Sequence, residues 1–479
     1  NKTKIEMEIR MKKNKVLALA GVTLLAAGFL AACSSSKSSS SSSSTDKTLN
    51  YIYEVDPENL NYLISGKAST TDLTANVIDG LLENDNYGNL VPSMAEDWTV
   101  SQDGLTYTYT LRKDAKWYTS EGEEYADVTA KDFVAGLKYA ADHKSETMYL
   151  VQNSIKGLDD YVNGKTKDFS TVGVKALDDH TVQYTLNEPE SFWNSKTTMG
   201  ILYPVNEEFV ASKGDKFAQS TDPTSLLYNG PFLLKSITSK SSIEFAKNTN
   251  YWDKDNVHVD NVKLAFFDGQ DQGKPAEQFA KGALSVARLA PTSATFSKIQ
   301  EKFKDNIVYT PQDSTSYLVG VNIDRQSYNH TSKTSDAQKS ATKKALMNKD
   351  FRQALSFAFD RTAYASQVNG KEGATKMLRN LYIPPTFVQA NGKSFGELVK
   401  EKVASYGDEW KDVNFDDAQD GLYNKEKAKA EFAKAKAALQ AEGVEFPIHL
   451  DMPVDQTATA KVQRAQSFKQ SVESSLGTD

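Results

Sequence analysis

The feature that most constrains this chain is an apolar run early in the sequence that ends close to its only cysteine. Residues 16–30 carry no charged side chain, and the segment 11–15 before them (MKKNK) is basic. A run of this length behind a basic segment is typical of an export signal and is too short for a durable membrane span. We therefore expect the folded part of the chain to follow this segment and to be exported.

The sequence around the cysteine extends this prediction. Residues 30–33 (LAAC) resemble the bacterial lipobox, in which the cysteine sulfur receives a diacylglyceryl group. Two acyl chains hold a protein stably at a membrane, whereas one chain holds it only marginally. We expect Cys33 to be the lipid anchor and residues 1–33 to be upstream residues and a lipoprotein signal peptide, with Met11 as the start. An ordinary secretory signal followed by an incidental cysteine is the alternative.

The next segment is almost entirely serine. Residues 34–45 cannot bury enough apolar surface to fold on their own. A flexible segment of this length has a root-mean-square reach of ~20 Å. We interpret it as a tether between the anchor and a globular body, which cannot contain an intrachain disulfide because Cys33 is the only cysteine.

Charge and histidine content exclude several kinds of partner. The 56 Lys and Arg side chains against 63 Asp and Glu give a net charge of −7, so we expect no nucleic-acid partner. The 5 histidines are scattered, and the sequence has neither an HExxH nor a GxSxG motif. The sequence therefore predicts no metal site, no cofactor and no catalytic residues. An anchored extracellular hydrolase remains the alternative from another class.

The globular body shows strand signals first. Residues 98–112 predict a hairpin in which Asp103 and Gly104 are the central residues of a type I′ turn and apolar side chains alternate from Leu105 to Leu111. Residues 172–186 predict a second hairpin. Strand pairs of this kind place the first part of the body in one or more antiparallel sheets.

Helix signals follow later in the chain. Asn348 is a plausible N-cap for a helix that extends to Asp360, and apolar residues at helical spacing follow Asn424. Gly443 stands where a helix C-cap belongs, and the apolar residues of 444–450 then alternate as in a strand. The sequence therefore predicts a mixed α/β architecture.

Several sequence blocks resemble a known family. The run 95–133 and later blocks, in the same order, resemble the family 5 extracellular solute-binding proteins. The blocks are EDW (96–98), DG (103–104), KW (116–117), VTAKDF (128–133), VGVKA (172–176), NGPF (229–232), NYW (250–252) and FRQAL (351–355). With the LAAC segment and the tether, the chain resembles the oligopeptide-binding lipoproteins of the Ami/Ali type on Gram-positive surfaces. Taken as residues alone, the aromatic members of these blocks are core positions and identify a fold, not a ligand site.

The resemblance implies a fold and its division into domains. The fold is α/β, of the periplasmic-binding-protein-like type II bilobal kind, with an extra inserted domain and an incomplete C-terminus. We expect domain I at 46–79 and 205–314, domain II at 80–204 and domain III at 315–479. By the same resemblance, the residue that pairs with the peptide amino group follows residue 479, and we expect the chain to be a truncated form.

The resemblance also implies a function. It predicts a monomeric receptor, not an enzyme, held by its lipid anchor at the outer face of a bacterial, Gram-positive cell membrane. The receptor would enclose an oligopeptide between its lobes and deliver it to the permease of an ABC transporter. Three alternatives remain open: the same fold binding another solute or a signalling peptide, the anchored hydrolase, and an adhesin or decoy without transport.

The expected ligand contacts also come from the resemblance. One clamp segment is expected in domain I, another just before Pro291, and two further residues at the start of domain III. The predicted ligand-binding residues are Gly66, Lys67, Ala68, Arg288, Leu289, Ala290, Tyr317 and Gly320. Arg288 stands where a neutral polar residue is expected and could pair with a ligand carboxylate. The alternative is that all these are ordinary loop and strand residues.

The anchor prediction can be tested by one substitution. Cys33→Ala removes the sulfur that would carry the diacylglyceryl group, so the variant is expected either to be shed into the aqueous phase of a detergent-partition assay or to remain as an uncleaved precursor. Ser34→Ala, at the neighbouring position, serves as the control and is expected to remain in the detergent phase. Unchanged retention of Cys33→Ala in the detergent phase, at the size of the processed protein, would contradict the prediction.

Overall fold

The structure is a computed structural model and describes residues 47–308, 310 and 315–478. The predicted signal peptide, Cys33 and the serine tether lie outside these residues. Among the described helices, none has the length and hydropathy that a bilayer crossing requires.

Strands dominate the first part of the chain and helices the second. The strands are β1 (Thr48–Tyr53), β2 (Leu82–Asn84), β3 (Leu90–Pro92), β4 (Ala95–Val100), β5 (Thr106–Leu111), β6 (Lys116–Tyr118), β7 (Glu124–Asp127), β8 (Val174–Asp178), β9 (Thr181–Thr185), β10 (Phe232–Thr238), β11 (Ser242–Lys247), β12 (Asn261–Phe266), β13 (Gln389–Ala390) and β14 (Lys393–Ser394). The helices are α1 (Ala68–Thr74), α2 (Ala130–Asp142), α3 (Leu158–Val162), α4 (Trp193–Lys196), α5 (Glu207–Lys213), α6 (Lys274–Ala280), α7 (Phe296–Phe303), α8 (Asp336–Met347), α9 (Lys349–Ala358), α10 (Arg361–Ala374, interrupted at Gly370), α11 (Phe395–Ala404), α12 (Lys425–Ala441) and α13 (Thr459–Leu476).

Two four-stranded sheets organise residues 47–267. In the first, the order is β1-β12-β11-β10, with β1 parallel to β12 and the other pairs antiparallel. In the second, the order is β4-β5-β9-β8 and every pair is antiparallel. The chain enters the first sheet, leaves it after β1, builds the second sheet and returns for β10. The segment that builds the second sheet is therefore inserted between β1 and β10 of the first.

The two predicted hairpins are present, but the first has a different turn. β4 pairs with β5 and β8 with β9, and Tyr107, Tyr109 and Leu111 are buried on one face as predicted. The prediction of a type I′ turn is wrong. Such a turn needs positive φ at both central residues, Asp103 and Gly104, and of these two only Gly104 has it. The carboxylate of Asp103 accepts hydrogen bonds from the Leu105 N–H and the Ser101 hydroxyl, which stabilises a longer loop.

One continuous apolar core joins both sheets and helix α2. It runs from Leu60 to Phe245 and includes the indole of Trp117, one of the block aromatics predicted to be core residues. The VTAKDF block forms the start of α2: the Thr129 hydroxyl and the Asp132 carboxylate cap each other's backbone N–H groups. The Asp132 carboxylate also accepts the indole N–H of Trp117 at 3.1 Å. Helix capping and core packing therefore explain why Thr129, Asp132 and Trp117 stand at these positions.

The second part of the chain is mainly helical, and its predicted helix ends are largely confirmed. The side chains of Asn348 and Asn424 cap α9 and α12, and Gly443 follows α12 with positive φ. Helix α9 ends at Ala358, two residues before the predicted Asp360. Helices α9 and α12 pack against each other in the small cores of this part.

The predicted strand at residues 444–450 is wrong. Val444 is buried against the helices, but the side chains do not alternate fully, since Leu450 is 38% exposed. A strand needs a neighbouring strand to pair with, and no strand among the described residues pairs with this segment. The segment is held by side chains instead: Phe446 packs against Phe432, and Asp451 pairs with the buried Lys333 at 2.6 Å.

Packing at Gly136 provides a test of this fold. A Cβ added there would lie 2.2 Å from the Tyr203 carbonyl oxygen, so Gly136→Ala must displace the backbone. Overpacking of this kind costs about 1–3 kcal/mol, which exceeds the ~1 kcal/mol that alanine gains in a helix interior. We therefore expect a lower free energy of unfolding in urea titration.

The neighbouring substitution Ala135→Gly removes helix propensity and the contact of one half-buried methyl group with the core, without overpacking, and should cost at least about 1 kcal/mol. If Gly136→Ala instead raises the free energy of unfolding, propensity outweighs the contact and the packing described for α2 is incorrect.

Candidate functional site

The two points where the predicted domain II begins and ends lie side by side. A Cβ at Gly80 would stand 2.6 Å from both the Thr197 carbonyl oxygen and the Tyr203 ring, so only glycine permits this approach. The Tyr62 hydroxyl donates a hydrogen bond to the Pro204 carbonyl at 2.8 Å. The outgoing and returning chain segments are thus fixed against each other.

A cavity of about 260 Å³ opens beside this junction. Its walls come from three segments that are distant in sequence, 62–75, 147–150 and 198–203. Helix α1 contributes Thr71 and Thr74, and Ala75 follows at its end. The cavity therefore exists only because long-range packing brings these segments together.

The polar side chains of the walls are largely engaged with nearby backbone. The Thr74 hydroxyl donates to the Thr70 carbonyl at 3.1 Å, and the Thr198 hydroxyl donates to the Ser195 carbonyl at 2.9 Å. The Tyr203 hydroxyl donates to the Thr198 carbonyl at 3.0 Å. With these donors used, the walls present mainly methyl groups and ring carbons to the interior of the cavity.

Of the predicted ligand-binding residues, Gly66 lines this cavity. Its N–H donates to the Glu146 carboxylate at 2.8 Å, while the Lys67 ammonium pairs with Glu58 at 2.5 Å. Gly66, Lys67 and Ala68 are all exposed. Among the described residues, the Gly66 carbonyl and the Ala68 N–H have no hydrogen-bond partner, so both remain available to a ligand backbone.

The second predicted segment, Arg288, Leu289 and Ala290, does not line the cavity. It follows Ser285, which bonds to the edge of β1 through two contacts with Asn50, at 2.9 and 3.0 Å. Arg288 is exposed and forms no ion pair with any carboxylate that the structure describes. Its guanidinium is free for an external carboxylate.

Tyr317 and Gly320 also lie away from the cavity walls. Tyr317 is 91% exposed, and Gly320 is exposed as well. The segment is fixed just before them, where the Ser316 hydroxyl donates to the Tyr382 carbonyl at 2.6 Å. In the described part of the chain, the backbone of 317–320 has no hydrogen-bond partner. Free backbone groups are thus found at Gly66, at Ala68 and at 317–320, whereas the Ala290 carbonyl accepts a hydrogen bond from the Ser293 N–H. The role of all three predicted segments in binding stays a prediction.

Sequence reasoning missed two of the three cavity segments, 147–150 and 198–203. Neither contains a motif or a charge cluster, and their Thr, Leu, Met and Ile side chains read as ordinary loop and core residues. The sequence did offer one indication, which is the place of 198–203 in the chain: this segment ends just before residue 205, where we expect the chain to return to domain I. No group of three or more His, Cys, Asp or Glu side chains in the described residues could hold a metal ion.

A buried carboxylate supports the junction behind Tyr203. The Asp79 N–H donates to the Asn229 side chain at 2.8 Å, and the Tyr251 hydroxyl donates to the Asp79 carboxylate at 2.7 Å. Burial raises the pKa of Asp79 to about 7, against the lowering effect of the Tyr251 hydrogen bond, and the nearby Glu83 carboxylate raises it further. Asp79 directly precedes Gly80, so it belongs to the framework of the cavity.

Comparison with known proteins identifies the family. The model for the bacterial extracellular solute-binding proteins, family 5, middle region, matches residues 89–479. The chain belongs to family 5 of the bacterial extracellular solute-binding proteins. It is 89% identical over 472 residues to the oligopeptide-binding protein SarA of Streptococcus gordonii, covering 98% of this chain and 71% of SarA. The oligopeptide-binding protein AliA of Streptococcus pneumoniae is 74% identical over 469 residues, with the same coverage of 98% and 71%.

Solved structures share the fold of this chain. Listeria monocytogenes OppA bound to peptide matches with a TM-score of 0.65 at 23% identity, covering 91% of this chain and 76% of that one. The pheromone receptor PrgZ matches with a TM-score of 0.63 at 20% identity, covering 90% and 75%. These similarities confirm the α/β bilobal fold class predicted from the sequence.

The buried Asp79 predicts a pH dependence of stability. An unfolded aspartate loses its proton near pH 4, whereas folded Asp79 keeps it up to about pH 7. Between these values the folded state binds the extra proton, so its stability falls as pH rises and levels off above about pH 7. Asp79→Asn removes this titration and retains an acceptor for Tyr251. The stability of the variant relative to the parent should therefore rise from pH 4 to 7 and then stay constant.

The measurement is urea unfolding at several pH values, with exposed Asp72→Asn as the control for loss of one negative charge. A stability difference between Asp79→Asn and the parent that does not change with pH would contradict the burial described for this carboxylate.

Proposed function

We propose that this protein is a lipid-anchored receptor, not an enzyme, that captures oligopeptides and delivers them to the permease of an ABC transporter. The observation that carries the proposal is the 89% identity to an oligopeptide-binding protein over 98% of the chain. Cys33 is the proposed anchor, at the extracellular face of the membrane. Residues 34–45 are the proposed tether.

Free backbone groups support a peptide as the ligand. An extended peptide binds through main-chain hydrogen bonds that do not depend on its side chains. The Gly66 carbonyl, the Ala68 N–H and the backbone of 317–320 lack partners among the described residues and can pair with such a peptide. Many different sequences could then bind with similar geometry.

A proposed ion pair adds to the backbone contacts. Arg288 has an exposed guanidinium, and a guanidinium binds a carboxylate through two parallel hydrogen bonds. We assign it to a carboxylate of the ligand. Domain I (46–79 and 205–314), domain II (80–204) and domain III (from 315) remain the proposed division, with the peptide between the lobes.

Ligand class can be tested by thermal denaturation. A ligand that binds only the folded state stabilises it by RT ln(1 + [L]/Kd), or about 2.7 kcal/mol at a concentration one hundredfold above Kd. Mixed short peptides are expected to raise the melting temperature, whereas free sugars and divalent metal ions are not. A shift with sugars or metal ions, and none with peptides, would assign another solute to this fold.

A further inference from the structure

The cavity beside the domain junction has the size and chemistry of a side-chain pocket. We infer that it receives one uncharged, apolar side chain of the bound peptide and discriminates against charged ones. This inference rests on the proposed function and adds to it a single selective position within an otherwise tolerant site.

Size limits what the cavity can hold. Its volume of about 260 Å³ corresponds to about nine water molecules at roughly 30 Å³ each. Pockets that enclose a whole small ligand measure about 300–1,000 Å³. The cavity is therefore too small for an oligopeptide and suits one large side chain.

The chemistry of the walls selects against charge. None of the described residues that line the cavity carries a charged side chain. Two charged residues that adjoin wall residues in sequence have partners of their own: Glu146 accepts the Gly66 N–H, and Lys67 pairs with Glu58. A Lys or Glu side chain of the ligand would lose its hydration without gaining a charged partner from the residues that line the cavity, which is costly. A leucine or phenylalanine side chain would gain from the same transfer.

The position of the cavity connects it with the proposed path of the peptide backbone. Gly66 belongs both to the predicted clamp and to the cavity wall. A side chain at Gly66 would partly close the cavity, since a Cβ there would lie 3.2 Å from the Thr147 methyl. Alternate side chains of an extended peptide point to opposite sides. A peptide backbone paired with the clamp would therefore direct one side chain at this opening.

The first test is a peptide scan. In one parent peptide that binds, each position is replaced in turn by Leu, Lys and Glu, and Kd is measured by isothermal calorimetry with the full protein. We expect one position at which Lys and Glu both weaken binding at least tenfold relative to Leu. If every position tolerates charge, the inference is overturned while the proposed function stands. If no peptide binds, the proposed function itself fails.

The second test places a charge in the wall. Thr71→Asp should weaken binding of the Leu peptide at the selective position and strengthen binding of the Lys peptide at least tenfold. Thr71→Val keeps the shape of the side chain and should leave the Leu preference intact. Ser69→Asp puts the same charge on α1 outside the wall and is the matched control. Ala75→Asp is the second wall variant, used if Thr71→Asp lowers the melting temperature.

These variants separate a local pocket from a general electrostatic effect. If the wall variants change the preferred peptide from Leu to Lys at the selective position and Ser69→Asp does not, the inference is supported. An equal switch in Ser69→Asp, or no switch in either wall variant, overturns it.

Discussion

The close packing of glycines around Tyr62 and Tyr203 is the constraint on which the candidate site depends. An added Cβ at Gly80 or Gly136 would collide with Tyr203, and one at Gly200 would lie 2.5 Å from the Tyr62 carbonyl oxygen. At each position the backbone of one segment touches another directly. These contacts hold Tyr62 and Gly80, which precede and follow α1 in the chain, against residues 197–203, and the cavity lies between the same parts of the chain.

This framework separates two kinds of surface with different physical roles. The cavity walls are packed, and their hydroxyls are largely engaged with the backbone, so they are suited to a side chain of defined size and polarity. The segments near Gly66 and at 317–320 keep free backbone groups, which suit an extended chain of any sequence. A receptor that combines both can accept many peptides and still impose a preference at one position.

Local features of the fold could be predicted from the sequence, because they depend on neighbouring residues. The Asn348 and Asn424 caps and the alternating hairpin strands follow from hydrogen bonding and burial over a few residues. The segment 444–450 has a strand-like pattern, but a strand also needs a partner, and that is a long-range property. The turn at Asp103 was predicted wrongly because its side-chain hydrogen bonds favour a longer loop.

The site was predictable only in part, for the same reason. Gly66 came from the resemblance to a family, while the other walls are ordinary residues joined by tertiary packing that no local pattern reveals. The central claim is that the ligand is a peptide, and mass spectrometry of what is released from the purified, acid-denatured protein tests it most directly. A peptide receptor with one apolar pocket is expected to release a mixture of short peptides that share an apolar residue. Release of sugars or metal complexes without peptides would contradict the central claim.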